Sequence, residues 1–481
     1  MEPIPDSAAA SVLGDALRHV GYTDDAIGEL LDDEELENPT VAEHRLPRTP
    51  LSTAIRLFYL QLPVSRSDAG RALGRKAVDA FEAIGLAEVG DDVVPLARII
   101  PVGALFVASD DFPKDGDEQS PGYVGAYSPT SRLCDCLTPR VRVDRALDIG
   151  TGSGVQALLA ARHARRVIAT DINERALAFT ELNAALSGLT NVECRQGSLF
   201  EPVGEQRFGL ITSNAPYVIS PENRWIYRDA GFEGDELSQR VVREAAEHLR
   251  DGGYATLLVS WIAHDEDEPD ERLLEWIEQT GCDAWILPIW DADPLGHAAT
   301  WNDYLVDEPE ALSRALDTWT QYLDGLGARH ITEGAVVLHR RATRRPTVRV
   351  DPIDEDEVEE AGDQIVRAFA ARAQLAELPR TSDLLDAKLS VSARLRLERL
   401  IKPRRRGAPR VRASLEIDEG THSLVEGPLD ALELIASLDG SLSLAELIAR
   451  RDVPTTETSR LRRAVVPLAR ELLELGALAF S

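Results

Sequence analysis

The chain has 481 residues, 44% of them hydrophobic, so it is long enough for two to four domains with sizeable cores. Its formal net charge of −30 repels nucleic acid at long range and argues against a bare DNA or RNA partner, although a local basic patch stays possible. No apolar stretch reaches membrane-spanning length and no signal-like segment begins the chain, so the sequence predicts a cytoplasmic protein without a membrane partner.

Residues 1–110 are predicted to form an N-terminal, mainly helical domain that resembles a winged helix. Apolar residues recur at helical spacing in Ala8–Val20 and in Leu51–Leu62. Two short apolar segments, Val93–Ile100 and Ala104–Ala108, then have the pattern of strands. Such folds often bind nucleic acid or protein, but the segment Arg71–Lys76 is only modestly basic, which favours a packing or substrate-shaping role.

Residues 111–342 alternate between apolar runs and helical patterns, which predicts an α/β domain with a doubly wound, Rossmann-like sheet. Seven strands are expected in this sheet. They are Arg145–Ile149, Val167–Thr170, Val192–Gln196, Gly209–Ser213, Ala255–Val259, Ala284–Pro288 and Ala335–His339.

The remaining part of the chain is divided into a linker and a C-terminal domain. Residues 343–370 carry dense charge and are predicted to be a linker. Residues 371–481 are predicted to be mainly helical and winged-helix-like, with amphipathic helices at Leu429–Leu438, Leu444–Arg450 and Glu457–Leu475. The four cysteines of the whole chain have neither a disulfide nor a zinc spacing, and no metal site is predicted.

A glycine-rich turn follows the first predicted strand of the α/β domain. Asp148 and Ile149 precede Gly150-Thr151-Gly152-Ser153-Gly154, and a helical pattern follows. Glycines let the main chain approach a ligand closely, and the helix start directs amide groups toward it. The third glycine comes two residues after the second, not three as in the nicotinamide fingerprint, and this spacing favours S-adenosylmethionine.

Two further strand ends are predicted to contact the same cofactor. Asp171 ends the second strand, where a carboxylate can accept hydrogen bonds from ribose hydroxyls. Ser198 and Leu199 follow the third strand, and they are predicted to meet the adenine amino group and the adenine ring.

The predicted catalytic residues are Asn214-Ala215-Pro216-Tyr217, which follow the fourth strand. Ligands of open α/β sheets collect at the carboxyl ends of the strands. An amide or aromatic amine nitrogen is a poor nucleophile, and oxygens of Asn214 and Ala215 can accept its hydrogens and orient it. Pro216 stiffens the turn, and Tyr217 can lie against a planar substrate group.

These two motifs together resemble the class I methyltransferases that carry an Asn-Pro-Pro-Tyr tetrad. The resemblance is strongest to the release-factor glutamine methyltransferases of the HemK type and to the small-domain RNA and adenine amino-methyltransferases, and it covers roughly residues 120–342. It implies that Gly150–Gly154, Asp171 and Asn214 contact the cofactor and that the tetrad holds the acceptor. Ala215 departs from the first proline of that tetrad, but its backbone carbonyl keeps the required oxygen.

Two flanking features are also assigned to the site. Tyr127-Ser128-Pro129-Thr130 is predicted to close over the methionine end of the cofactor. Trp225, Trp290 and Trp301 belong to a tryptophan-rich region after the tetrad and are candidates for a substrate pocket.

The sequence therefore predicts an S-adenosylmethionine-dependent N-methyltransferase acting on a macromolecule. A protein glutamine, as in a translation factor, is favoured by the acidic surface and by Tyr217. The alternatives are an exocyclic base amine in RNA or DNA, a non-catalytic regulator that binds nucleic acid or a partner and retains the cofactor fold, and a nicotinamide-dependent oxidoreductase. The oligomeric state is left open.

Overall fold

A computed structural model describes residues 2–32, 38–111, 122–125, 127–222, 232–265, 268–342, 346–378, 380–402, 410–451 and 454–481. None of the helices within these ranges combines the length and apolarity that crossing a membrane requires.

The helices of the described residues are short to medium in length. In chain order they are α1 Ser7–His19, α2 Asp24–Gly28, α3 Pro39–Arg45, α4 Pro50–Ala54, α5 Arg66–Ala72, α6 Arg75–Ala83, α7 Pro129–Leu137, α8 Val155–Ala161, α9 Glu174–Leu186, α10 Glu236–His248, α11 Glu271–Thr280, α12 Pro294–Trp301, α13 Pro309–Gly325, α14 Gly362–Glu377, α15 Leu429–Ala436, α16 Leu444–Ala449 and α17 Thr455–Glu474. A π-helical turn, Ile55–Tyr59, continues α4, and 3₁₀ turns occur at Glu201–Val203, Asp303–Leu305 and Thr381–Leu385.

The strands are β1 Val64–Ser65, β2 Ala87–Val89, β3 Asp92–Pro95, β4 Arg98–Val102, β5 Leu105–Ser109, β6 Val143–Ile149, β7 Ala164–Asp171, β8 Val192–Gln196, β9 Phe208–Ser213, β10 Leu249–Ala263, β11 Asp283–Ala292, β12 His330–His339, β13 Val348–Val350, β14 Lys388–Val391, β15 Leu395–Lys402, β16 Arg410–Ile417, β17 Leu424–Gly427, β18 Asp439–Ser443 and β19 Leu478–Phe480. The largest sheet has the order β13-β11-β12-β10-β9-β6-β7-β8.

The register of three parallel strands brings the two sequence motifs together. Strand β6 lies between β7 and β9, and its last residue, Ile149, is opposite Thr170 on one side and Ser213 on the other. Because parallel strands end at the same edge of a sheet, the glycine loop after Ile149 and the tetrad after Ser213 leave the sheet side by side. The predicted α/β fold with a Rossmann-like parallel sheet is confirmed.

The sheet has eight strands, not the predicted seven. The additional strand, β13, lies within residues 343–370, which the charge pattern assigns to a linker, and it pairs in parallel with β11. The same segment contains the start of α14. The charge pattern predicts a solvated linker, but Arg349 is partly buried and forms ion pairs with Asp351 and Glu474.

Two compact units make up the chain, and the first consists of Met1–Cys134, Val141–Thr280 and Trp290–Gly334. Its N-terminal helices precede an antiparallel sheet with the order β1-β3-β2. One apolar core joins residues of these helices, such as Leu13 and Phe58, to Phe179 and Leu182 of α9. The winged-helix assignment and the domain boundaries stay predictions.

The second unit consists of Asp135–Arg140, Gly281–Ile289 and Ala335–Ser481. Helices α15, α16 and α17 begin and end within two residues of the predicted bounds. Six strands were not predicted, and they form two sheets with the orders β18-β14-β19 and β15-β16-β17. These strands accompany the predicted helices, and the mainly helical, winged-helix-like assignment of residues 371–481 stays a prediction.

Candidate functional site at the carboxyl edge of the sheet

The glycine loop between β6 and α8 has a backbone that only glycine adopts easily. Gly150, Gly152 and Gly154 have φ angles of 64°, 55° and 88°. A Cβ atom at Gly150 would lie 3.0 Å from the Cβ of Ala215, and one at Gly154 would lie 2.9 Å from the side chain of Thr180. The loop therefore packs against the tetrad on one side and against α9 on the other, as the glycine spacing predicts.

Asp148 lies beneath this loop and organises it. The side chain is 2% exposed. Its Oδ2 accepts hydrogen bonds from the Thr151 hydroxyl at 2.7 Å and from the Ala157 amide at 3.2 Å, and its Oδ1 accepts one from the Thr212 hydroxyl at 2.8 Å. Burial raises the pKa of Asp148 from 3.8 to about 6.

Four residues predicted to contact the cofactor do not line the cavity at this edge of the sheet. They are Asp148, Thr151, Ser153 and Gly154. Asp148 and Thr151 are bonded to each other behind the loop, and the Ser153 carbonyl accepts a hydrogen bond from Asn183 at 2.8 Å. They support the loop from behind, because Asp148, Thr151 and Ser153 use their polar atoms in hydrogen bonds within the protein.

The raised pKa of Asp148 gives a testable pH dependence. Since the folded protein holds the proton more tightly than the unfolded chain, this carboxyl stabilises the fold below pH 3.8, and that stabilisation is lost as the pH rises through about 6. We expect wild type to gain up to about 3 kcal/mol of unfolding free energy relative to Asp148→Asn between pH 7 and pH 4. Urea denaturation of both proteins across this range measures the difference, and a constant difference would contradict the assignment.

Asp171 connects the glycine loop to the end of β7. Its Oδ2 accepts a hydrogen bond from the Gly152 amide at 3.0 Å, and its Oδ1 accepts one from the Asn173 amide at 2.9 Å. Burial raises the pKa of this carboxyl. Asp171 lines the cavity, so the structure brings the predicted acid and the glycine loop together.

The cavity at this edge of the sheet has a volume of about 190 Å³, and most of the predicted site residues line it. Eight predicted residues line it: Gly150, Gly152, Asp171, Ser198, Leu199, Asn214, Ala215 and Pro216. Ten further residues of the wall were missed: Tyr123, Val124, Gly125, Thr170, Ile172, Asn173, Ala176, Gly197, Phe232 and Leu237. Thr170, Ile172 and Asn173 could have been found, because they adjoin Asp171 in the sequence.

The segment 122–125 was missed because a long-range ion pair holds it at the cavity. Arg175 forms a two-pronged ion pair with Asp110, and both side chains are less than one-fifth exposed. Arg175 also donates to the Gly122 carbonyl at 3.0 Å, and Asp110 accepts from the Val124 amide at 2.8 Å. Asp110 and Arg175 are 65 residues apart in the sequence, so a local sequence pattern does not predict their ion pair.

The tetrad begins beside the start of α7. The Asn214 side-chain amide lies 3.4 Å from the Thr130 hydroxyl and 3.3 Å from the Ser131 hydroxyl. Thr130 belongs to the segment predicted to close over the cofactor, whereas Ser131 was not singled out. Ala215 and Pro216 follow Asn214 along the cavity wall.

Tyr217 is half-buried and is not part of the cavity wall. Its carbonyl accepts a hydrogen bond from the Ser260 hydroxyl, and this bond holds the last residue of the tetrad against β10. The Tyr217 ring as a platform for a planar acceptor stays a prediction.

The segment after the tetrad is held by helices α12 and α13. The buried His297 ring bonds through Nε2 to the Ile219 carbonyl at 2.9 Å, and it lies between Trp290 and Trp319 with ring centroids 5.9 Å and 5.8 Å away. Trp319 donates to Glu222 at 3.5 Å. This cluster holds the segment that directly follows the tetrad.

Of the three tryptophans assigned to a substrate pocket, Trp290 belongs to that supporting cluster. Trp301 donates its indole hydrogen to Glu333 at 2.8 Å, and Trp225 lies outside the described residues. Neither Trp290 nor Trp301 is among the described residues that line the cavity.

Comparison with protein families gives two matches along the chain. Residues 128–265 match the model of the methyltransferase small domain, and residues 19–97 match a domain of unknown function (DUF7059). The matched segment contains the glycine loop, Asp171 and the tetrad, and the predicted resemblance to class I methyltransferases of the HemK type is confirmed.

Three curated relatives that the chain matches carry the names of glutamine methyltransferases. The ribosomal protein uL3 glutamine methyltransferase of Bradyrhizobium diazoefficiens is 35% identical over 169 residues, 31% of this chain and 52% of that protein. The release factor glutamine methyltransferase of Xylella fastidiosa is 37% identical and covers 24% of this chain and 47% of its own length. That of Deinococcus radiodurans is 40% identical, with 24% and 45% covered. The chain thus spans about half the length of the relatives it matches.

Proposed function

We propose that the chain is an S-adenosylmethionine-dependent N-methyltransferase whose acceptor is the side-chain amide of a protein glutamine. The observation that carries this proposal is the shared wall of one cavity, in which the backbone of Gly150 and Gly152 and the tetrad residues Asn214 and Ala215 adjoin. The names of the curated relatives support the acceptor class.

The residues of the cavity fit an adenosyl cofactor. A Cβ atom at Gly152 would meet nothing within 4 Å, so the loop leaves open space at the cavity there, and Asp171 supplies a carboxylate beside the loop. Leu199 and Ile172 supply apolar surface suited to a purine ring, and Ser198 supplies a hydroxyl. S-adenosylmethionine, when bound, supplies a methyl group on a sulfonium that is electrophilic without further activation.

The chain's own contribution to the reaction is orientation of the acceptor. An amide nitrogen has a delocalised lone pair, so it reacts only when its neighbours hold it toward the methyl carbon. Oxygens at Asn214 and Ala215 can accept the two amide hydrogens, and Pro216 limits the movement of the turn. Orientation of this kind can lower the activation free energy by about 7–11 kcal/mol. The proton leaves the nitrogen after the carbon–nitrogen bond has formed, so a strong general base is not needed.

A labelling experiment tests the function and the acceptor class together. The full chain is incubated with methyl-labelled S-adenosylmethionine and, in parallel, with a purified bacterial release factor, ribosomal protein uL3, total RNA or DNA. We expect label in a protein arm, on a glutamine identified by peptide mass spectrometry, and an initial labelling rate about 100-fold lower with Asn214→Ala. Label in the RNA or DNA arm would replace glutamine with a base amine, and absence of label in every arm would overturn the proposed activity.

A further inference from the structure

A second cavity lies in the unit that contains the C-terminal residues, and arginines dominate its wall. It has a volume of about 400 Å³ and lies among β13, α14 and α17. The lining residues are Thr347, Val348, Arg349, Arg372, Leu375, Ala376, Arg470 and Glu474. This cavity is formed by side chains to which the proposed methyl transfer gives no role.

Arg372 is the most deeply buried of the three arginines, and no carboxylate of the described residues accepts a hydrogen bond from it. It is 3% exposed. Its Nε donates to the Glu474 carbonyl at 2.8 Å, and its guanidinium carbon lies 4.4 Å from the centre of the Trp285 ring. Its Nη2 has no hydrogen-bond partner within the described part of the chain. A buried cation of this kind is costly unless an anion accompanies it.

The nearby carboxylates are engaged by other arginines. Arg349 donates to both oxygens of Asp351 and to Glu474, and Glu474 also accepts from Arg470. Three guanidinium groups at the cavity therefore share two carboxylates. Burial, together with the charge of Arg349, lowers the pKa of Arg372 to about 9, as expected of a cation without its counterion.

Asp283 is the other acid whose charge reaches Arg372, and it is also occupied. It accepts hydrogen bonds from Arg341 at 2.8 Å and from the Thr347 amide at 2.7 Å. Within the described residues, Arg372 therefore has backbone carbonyls as hydrogen-bond acceptors and no paired carboxylate.

We propose that this cavity binds a small organic oxyanion, with Arg372 as the residue that pairs with its carboxylate or phosphate group. The guanidinium fork suits both groups because it offers parallel N–H donors to two oxygens. Val348, Leu375 and Ala376 add apolar surface to an otherwise polar wall, and this surface can contact the carbon skeleton of a small acid.

Thermal unfolding of the full chain tests the site with defined probes. Melting temperatures are measured in potassium phosphate, potassium acetate and potassium chloride at equal ionic strength. Phosphate stabilises many proteins without binding to a specific site. Specific binding is therefore judged from the difference in melting-temperature increase between variants. Arg367→Met is the matched control, because Arg367 is also on α14 and donates to a backbone carbonyl, at 2.9 Å, but does not line the cavity.

We expect phosphate or acetate to raise the melting temperature of wild type and of Arg367→Met by about 3 °C over chloride near tenfold saturation. Arg372→Met should lose this increase. Arg372→Lys should retain part of it, because the charge remains and the fork is lost. An equal increase in Arg372→Met, or no increase over chloride in wild type, would overturn the site.

A calorimetric titration keeps the test decisive if Arg372→Met does not fold. Wild type is titrated with inorganic phosphate and with acetate up to about 10 mM, a range that captures millimolar affinities. Saturable heat that disappears in Arg372→Lys or weakens about tenfold supports the site. The absence of saturable heat for both probes in wild type would overturn it.

Discussion

Replacing Asn214 with alanine is expected to lower kcat by about 100-fold while the dissociation constant of the methyl donor changes by less than about threefold. Asn214 is the first residue of the tetrad, and its side chain lines the cavity beside the glycine loop. Its proposed role is to hold the acceptor nitrogen toward the methyl carbon. Loss of that orientation slows the chemical step and leaves most contacts with the donor in place.

The measurement combines steady-state methylation with equilibrium binding of the donor, and Asn191→Ala serves as the matched control. Asn191 is also an asparagine of the first unit, but its side chain bonds the carbonyls of Ala161 and Ala164 and does not line the cavity. That control should lose stability and keep its kcat. If Asn214→Ala turned over at the wild-type rate, or lost donor binding as strongly as turnover, Asn214 would not be the orienting residue.

The edge of the sheet that carries the site was predictable because strong local patterns specify it. Apolar runs end at Ile149 and Ser213, and each is followed by residues that cannot continue a strand. Glycines with positive φ are required where the loop approaches Ala215, and the sequence supplies them. The position of the loop and the tetrad therefore follows from strand order and from turn chemistry alone.

The orientation of individual side chains was less predictable. Asp148 belongs to the motif but faces inward, where the hydroxyls of Thr151 and Thr212 bind it. A motif gives the spacing of its residues and not the face on which each lies, so a supporting residue and a ligand-contacting residue look alike in the sequence. Only the packing of the loop on α8 distinguishes them.

The parts that depend on distant partners could not be predicted. The 122–125 segment reaches the cavity through Asp110 and Arg175, and His297 holds Ile219 across 78 residues. Strand β13 is three residues long, and its central Arg349 resembles a solvated charge until Asp351 and Glu474 are seen beside it. Charge alone does not separate a linker from a paired, half-buried strand.

Replacing Asp171 with alanine is expected to weaken donor binding by about 10- to 100-fold, with a smaller effect on kcat at saturating donor. The carboxylate is half-buried at the cavity wall, where it already accepts the amides of Gly152 and Asn173. A bound ribose would add hydroxyl donors to the same oxygens, and hydrogen bonds to a charged acceptor contribute about 1.5–3 kcal/mol each.

Asp171→Asn separates recognition of the donor from support of the loop. The asparagine oxygen can still accept one of the two backbone amides, so the loop should keep more of its stability than in Asp171→Ala. It lacks the charge and one acceptor, so donor affinity should remain low. Donor binding is measured by calorimetry and loop integrity by the melting temperature without donor. If Asp171→Asn bound the donor like wild type and only Asp171→Ala failed, Asp171 would act through Gly152, as a positioning residue for the loop, and direct contact with the ribose would be excluded.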